Sequence, residues 1–301
     1  MNSATEITPA RLLALRFNAK TQRHGTPKQI RSSQRGQYLS KARGRGMEFD
    51  DFRPYQSGDD IRHIDWRVSA RTGTTQTKLF REERDQNVFF VVDQCAAMYF
   101  GTRRVFKSVA AAETACLLAW MASFRGDRVS GLIFNDQQTF SAPPRRGQPG
   151  VMALIQLLCR HQAHEQAIHH EGQWVNALSR VAKTAHTGSH IYLISDFANI
   201  HEEAEKDLSL IRQHNDVSLL QIYDPIEETL PAKTHYTFSD GLNNYQVDAD
   251  SQVLQQFQQQ QHQRYHWLES LCKRLGISYT RIATNDDVSQ SLRRAQDPRN
   301  R

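Results

Sequence analysis

No stretch of this chain is apolar enough, for long enough, to cross a bilayer. The longest candidate, Val109 to Phe124, is interrupted by Glu113 and Thr114, whereas a spanning helix needs about 20 predominantly apolar residues. Met1 to Lys20 lack the unbroken apolar region and the small-residue cleavage site of a signal peptide. The expected location is therefore the cytoplasm. Cysteine is scarce: Cys95, Cys116, Cys159 and Cys272 are widely scattered and form no C-x-x-C pair. That argues against a disulfide framework or a cysteine zinc site and leaves four small thiols as packing residues. No G-x-S-x-G elbow appears, so nucleophilic catalysis has no support. The histidines His161, His164, His169 and His170 lie near Glu165 and Glu171, but none completes H-E-x-x-H. On a helix, His164 and His169 would stand about 140° apart, too far round to pinch one zinc ion. A solvated loop is the expectation there.

What the chain has is an uneven charge. Of 301 residues with net charge +6, the first 47 hold ten Lys/Arg and one acid, Glu6, giving +9; the rest sums to −3. Mean hydropathy is low, at −0.65, in keeping with polar arms around an ordinary core. Pro9 to about Lys20 reads as a short amphipathic helix with Leu12, Leu13, Leu15 and Phe17 on or near one face. Thr21 to Gly46, broken by Gly25, Pro27, Gly36, Gly44 and Gly46, reads as a basic loop or extended arm. Three segments follow from this: residues 1–46, a basic helix and arm; residues 47–86, a turn-rich segment closing in an edge strand at Gln76 to Glu83; and residues 87–301, an α/β domain.

In the third segment, apolar strands alternate with helices. Strands are predicted at Val88–Asp93, Arg128–Phe134, Gln138–Ser141, Ile191–Asp196, Val217–Tyr223 and Ile277–Ile282. Helices are predicted at about Arg104–Phe124, Gly150–His161, Trp174–Ala185, Glu203–His214, Ser251–Leu275 and from Asp286 onward. This alternation implies a mostly parallel, Rossmann-type sheet with helices on both faces.

In such a sheet, ligands collect beyond the carboxyl ends of the strands. Two apolar strands end there in carboxylates, Asp93 and Asp196, which invites a nucleotide or a divalent metal. Gly101 to Ser108 reads G-T-R-R-V-F-K-S, one substitution from a phosphate-binding loop. However, Phe106 stands where glycine must let backbone N–H groups wrap phosphate. ATP hydrolysis by this chain is not expected.

The run from Glu48 to Arg71 contains E-F, R-x-Y, G-D-D-x-R-x-I-D-W and S-A-R in order. It closely resembles the signature of the domain-of-unknown-function 58 family. The apolar strand ending in Asp93, the helix opening with Lys107, G-D-R-V at Gly126–Val129 and Ser195-Asp196 also look like that family, over roughly residues 35–285. The resemblance implies a von Willebrand factor A-like fold and action beside a MoxR-type AAA+ ATPase. It also implies a metal-dependent adhesion site of pattern D-x-S-x-S, with a threonine and an aspartate from two further loops. Here that pattern reads Asp93-Gln94-Cys95-Ala96-Ala97, the threonine position near Trp174 holds Gly172-Gln173, and only Asp93 and Asp196 match. A hard cation wants oxygens, a thiol is soft and a methyl cannot ligate. The expectation is a degenerate pocket (Asp93, Cys95, Ala97, Asp196) with no cofactor, or weak Mg²⁺ binding at most.

The signature residues Arg53, Asp59, Asp60, Arg62, Asp65, Trp66 and Arg71 are read chiefly as a scaffold of Arg–carboxylate pairs around a large Trp66 anchor. A partner-facing surface is the other reading. The functional expectation is a non-enzymatic adaptor that joins a MoxR-type AAA+ ATPase to an unknown client protein. A nucleic-acid-binding protein using the basic arm is the alternative, although only Phe17 and Tyr38 are available there for base stacking. An enzyme of unrecognised type at the Asp93/Asp196 edge is a third reading.

Overall fold

The computed structural model describes residues 4–22, 47–82, 86–163, 172–200, 203–228, 231, 235–239, 244–248 and 251–296. The chain divides into two units: residues 33–85, and a larger body made of residues 1–32 together with 86–301.

The body begins with helix α1 (Pro9–Gln22). The smaller unit then supplies strand β1 (Met47–Pro54), a 3₁₀ turn at Ile61–His63, helix α2 (Trp66–Thr72) and strand β2 (Gln76–Glu82). Back in the body come β3 (Asn87–Asp93), α3 (Lys107–Phe124), β4 (Arg128–Phe134), β5 (Thr139–Arg146), α4 (Gln148–Arg160), α5 (Gln173–Thr184), β6 (His190–Ser195), α6 (Ala204–His214) and β7 (Asp216–Tyr223). The short α7 (Pro225–Glu228), the hairpin β8 (His235–Ser239) and β9 (Asn244–Asp248), the long α8 (Ser251–Leu275), β10 (Ser278–Ala283) and α9 (Val288–Gln296) complete it.

The body's six-stranded sheet has the order β10-β7-β6-β3-β4-β5, parallel throughout except for β5, which runs antiparallel to β4. Counted along the chain this is 3-2-1-4-5-6, a doubly wound, Rossmann-type α/β sheet. Its direction reverses between the first strand, β3, and the fourth, β6. Side chains of β3 alternate between two cores. Val88, Phe90 and Val92 face one that holds α1, α3, α4 and α9, while Phe89 and Val91 face the other, with α5, α6 and α8. A strand covered on both faces explains the unbroken apolar run. Helix α3 is buried from Lys107 to Ala122, which its alanines permit. Gly150 lets α4 close on β4 and β5: a Cβ there would meet the Arg145 carbonyl oxygen at 2.4 Å.

Three departures from the sequence reading have physical causes. First, α1 is packed into the body rather than set apart with the basic segment. Leu12 and Ala19 are buried in the body's core, Leu12 accepts a hydrogen bond from the Trp120 indole (3.2 Å), and Arg11 pairs with buried Glu113 (2.6 Å). Its inner stripe is Leu12, Leu15 and Ala19, spaced three and four residues apart, so Leu13 and Phe17 fall on the outside with Phe17 73% exposed. Second, the turn-rich segment contains a strand, β1, that pairs antiparallel with the expected edge strand β2 in a two-stranded sheet of the smaller unit. Third, the hairpin β8–β9 and the turn of α7 interrupt what reads as a single loop between β7 and α8. The basic residues 23–46 and the histidine-rich residues 164–171 lie outside the described residues. His161 stacks on Phe140.

Candidate functional site

The sheet's reversal point places the tips of β3 and β6 side by side, since Val92 pairs with Ile194. The two carboxylates singled out in the sequence therefore come together, and both are buried: Asp93 is 5% and Asp196 8% exposed. Asp93 accepts hydrogen bonds from the Ser195 hydroxyl (2.6 Å, to Oδ2) and from the Cys95 backbone N–H (2.9 Å, to Oδ1). Asp196 Oδ1 accepts from the Ala198 N–H at 2.8 Å, and its Oδ2 lies 2.7 Å from the ammonium of Lys107. That ammonium lies also 2.7 Å from Glu227 Oε1, on α7. Glu227 in turn accepts the Asp224 N–H (2.9 Å). Asp136, at the end of β4, accepts the Ala96 N–H (2.6 Å) beside Cys95.

These partners set the charges. Burial, then the negative charge of Asp196, pushes Asp93 up to about 6, against the Ser195 and Cys95 hydrogen bonds that would lower it. Burial also tends to raise Asp196, but the charge and hydrogen bond of Lys107 outweigh it and hold Asp196 below the usual carboxylate range. Burial would pull the Lys107 ammonium down; Asp196 and Glu227 more than offset this and keep it charged. Burial, with Asp93 and Asp136 nearby, drives the Cys95 thiol far upward.

A second ring of hydrogen bonds holds the edge in shape. Asp224, at the tip of β7, accepts from the Thr102 N–H (2.9 Å), the Thr102 and Thr284 hydroxyls (2.6 Å each) and the Ile226 N–H (3.1 Å). Phe197 adopts a left-handed backbone (φ 55°), uncommon for a residue with a Cβ. The turn is over-determined: its N–H donates to the Ser195 hydroxyl, its carbonyl accepts from Arg264 of α8, and its ring stacks on Trp174.

The donor set does not fit the hard divalent cation that the fold family implies. Cys95 and Ala97 stand at the hydroxyl positions and Gly172-Gln173 at the threonine position. Both Asp93 oxygens accept hydrogen bonds from the chain, and the ammonium of Lys107 is bound to Asp196. Among the described residues, no group of three or more His, Cys, Asp or Glu is arranged to hold a metal.

Sequence reasoning found Asp93 and Asp196 but gave no role to Lys107, Glu227 or Ser195. A signal was present. Lys107 opens an alanine-rich, fully buried helix that has no acid in its first turn, and a cation at a helix N-terminus opposes the macrodipole. Such a residue demands carboxylate partners from elsewhere.

In the smaller unit, Arg53 and Asp59 pair at 2.6 Å, as the scaffold reading requires. The other aspartates mainly bind backbone. Asp60 caps the 3₁₀ turn through the Arg62 N–H (3.0 Å). Asp65 caps α2 through the N–H groups of Arg67 and Val68 (3.1 Å each) and takes its ion pair from Lys78 (3.0 Å) rather than from an arginine. The expected anchor is corrected: Trp66 is 67% exposed, as is Ile61 at 65%, and the side chains of Arg62, Arg67 and Arg71 are exposed with them. Trp66 sits in the first position of α2, directly after the capping Asp65.

Comparison with known proteins bears on the family and little else. A family model described as "Protein of unknown function DUF58" matches residues 51–266. The uncharacterized proteins Rv1480 of Mycobacterium tuberculosis and Mb1516 of Mycobacterium bovis are each 26% identical over 196 residues, 65% of this chain and 61% of theirs. The chain thus spans about three fifths of the length of these relatives. Among solved structures, conserved hypothetical protein BatB from Bacteroides thetaiotaomicron is similar over 70% of this chain and 98% of its own, at 13% identity and a TM-score of 0.43. A von Willebrand factor type A protein from Catenulispora acidiphila is similar over 73% of this chain and 42% of its own, at 11% identity and a TM-score of 0.39.

Proposed function

We propose, since this chain belongs to the DUF58 family, that it is a non-enzymatic adaptor whose signature unit docks a protein partner. The partner that the family resemblance suggests is a MoxR-type AAA+ ATPase, with an as yet unidentified client held elsewhere on the chain. One observation carries the reading. In the signature unit the carboxylates of Asp59, Asp60 and Asp65 are engaged with the unit's own backbone and cations, while Ile61 and Trp66 stand exposed among Arg62, Arg67 and Arg71. An exposed tryptophan flanked by arginines has the composition of an interface hot spot, where aromatic and arginine side chains carry most of the affinity.

No reaction is assigned to the strand-tip site. Asp93 and Asp196 are buried, Asp196 is matched by Lys107, and burial pushes the Cys95 thiol far upward. The Ser195 hydroxyl donates to Asp93, but both groups are buried and that hydroxyl also accepts the Phe197 N–H, which fixes it as part of the turn.

The test is binding of the purified full chain to a purified MoxR-type ATPase, followed by calorimetry with nuclease-treated samples. Trp66→Ala should weaken the complex at least about tenfold, the scale of a hot-spot truncation. Binding unchanged in Trp66→Ala and Ile61→Ala would overturn the assignment of this surface. Retention on DNA with a steep salt dependence, in place of ATPase binding, would favour the nucleic-acid alternative.

A further inference from the structure

The strand-tip site contains a cation already, and it is part of the chain. Lys107 is 3% exposed, its Nζ lies 2.7 Å from Asp196 Oδ2 and 2.7 Å from Glu227 Oε1, and the Asp93 carboxylate interacts with Asp196 beside it. The ammonium also lies 5.6 Å from the centre of the Phe100 ring, whose face favours positive charge. We propose that Lys107 is the resident cation of this site: a covalently attached substitute for the divalent metal that the fold family implies, which makes the strand-tip arrangement independent of metal ions.

The geometry supports substitution and not mere proximity. The helix start that carries Lys107 is fixed by its own N–H donating to the Phe100 carbonyl (2.7 Å), and Gly101 allows the loop to fold tightly, since a Cβ there would meet the Val105 carbonyl at 2.4 Å. The lysine stem is thereby aimed at the β6 tip from a rigid base. A single ammonium supplies one positive charge and three donors, whereas a divalent ion would need about six or more oxygens. Where hydroxyl ligands are replaced by Cys95 and Ala97, one charge held by two carboxylates is the arrangement the remaining groups can satisfy. The consequence is a site fixed in one state, with no exchange of ion or water on binding a partner.

The experiment uses the full chain, with Ca²⁺ and Mg²⁺ as probes. An ion at the Nζ position would start 2.7 Å from two carboxylate oxygens, closest to the 2.3–2.6 Å range of about six to eight Ca²⁺ ligands and farther from the ~2.1 Å that Mg²⁺ demands. The native chain should show the same melting temperature in EDTA and in about 10 mM of either ion, because a ligand stabilises only where it binds the folded form. Lys107→Ala, which removes the charge and leaves room for water, should melt lower. It should recover part of the loss in Ca²⁺, more than in Mg²⁺, and adding Asp196→Asn should abolish that recovery. Lys107→Arg, which keeps a charge, should fold and show no ion response. If Lys107→Ala does not fold while Lys107→Arg does, the need for a resident cation is upheld. A native chain that takes up either ion stoichiometrically, with loss in Asp93→Ala, would overturn the proposal. So would a Lys107→Ala variant that is as stable as the native chain, or one that loses stability without any ion response.

Discussion

The two regions that hold this chain's clustered charges use them in opposite directions. At the strand tips of the body, Asp196, Glu227 and Lys107 are matched among themselves and Asp93 is held by Ser195 and the Cys95 N–H, with Asp93, Asp196 and Lys107 each less than a tenth exposed. In the signature unit, the aspartates grip local backbone and the large apolar and cationic side chains are left outside. A buried charge must be paired or it destabilises the fold. A solvated carboxylate can cap a helix and leave its neighbours free. The site that looks like a ligand pocket in the sequence is thus internally satisfied, and the segment that looks like scaffold presents the open surface.

The inward region can be broken most severely. Asp196→Ala leaves the Lys107 ammonium buried with Glu227 as its remaining carboxylate partner and should cost about 3–5 kcal/mol, the scale for removing one member of a buried pair. Urea unfolding would measure it, and a loss under about 1 kcal/mol would contradict a tightly matched site.

Asp93 sharpens the contrast through pH. Its carboxyl is raised from 3.8 to about 6 in the folded chain, so the folded form holds the proton more tightly than the unfolded form. Stability from this group is therefore present below pH 4 and lost as pH rises through about 6, by about 3 kcal/mol at most. Asp93→Asn, which cannot ionise, should remove that slope; unfolding midpoints at several pH values would show whether the two curves run parallel instead.

The smallest effect belongs to the outward region. Trp66→Ala should change stability by no more than about 0.5 kcal/mol, as a surface substitution does. A large drop would mean that the indole is part of a packed core.

The body was legible because its strands declare themselves. The continuous apolar runs at Val88–Val92 and Ile191–Ile194 have no other use than a doubly covered sheet, and each ends at the carboxylate that marks the edge. Lys107 was seen but misjudged. Its sequence neighbours place it in a near-miss phosphate loop, and its partners lie 89 and 120 residues away, a separation that no local pattern carries. The hairpin β8–β9 was missed although a signal was present: Tyr236 and Phe238, then Tyr245 and Val247, alternate with polar residues on either side of Asp240-Gly241, in runs of five residues each. Trp66 was misplaced for a different reason. Large aromatics are usually buried, and nothing in W-R-V-S-A-R-T says that α2 buries none of its residues.

The position of α1 has a consequence for how the molecule is wired. Because α1 is locked into the body by Leu12, Ala19 and the Arg11–Glu113 pair, the signature unit is an insertion in the body's chain rather than an N-terminal extension of it. Both of its covalent exits lead back to load-carrying parts: one to α1, the other, after four residues, from β2 to the central strand β3. A truncation at residue 46 would strip a helix from the core before it tested any arm.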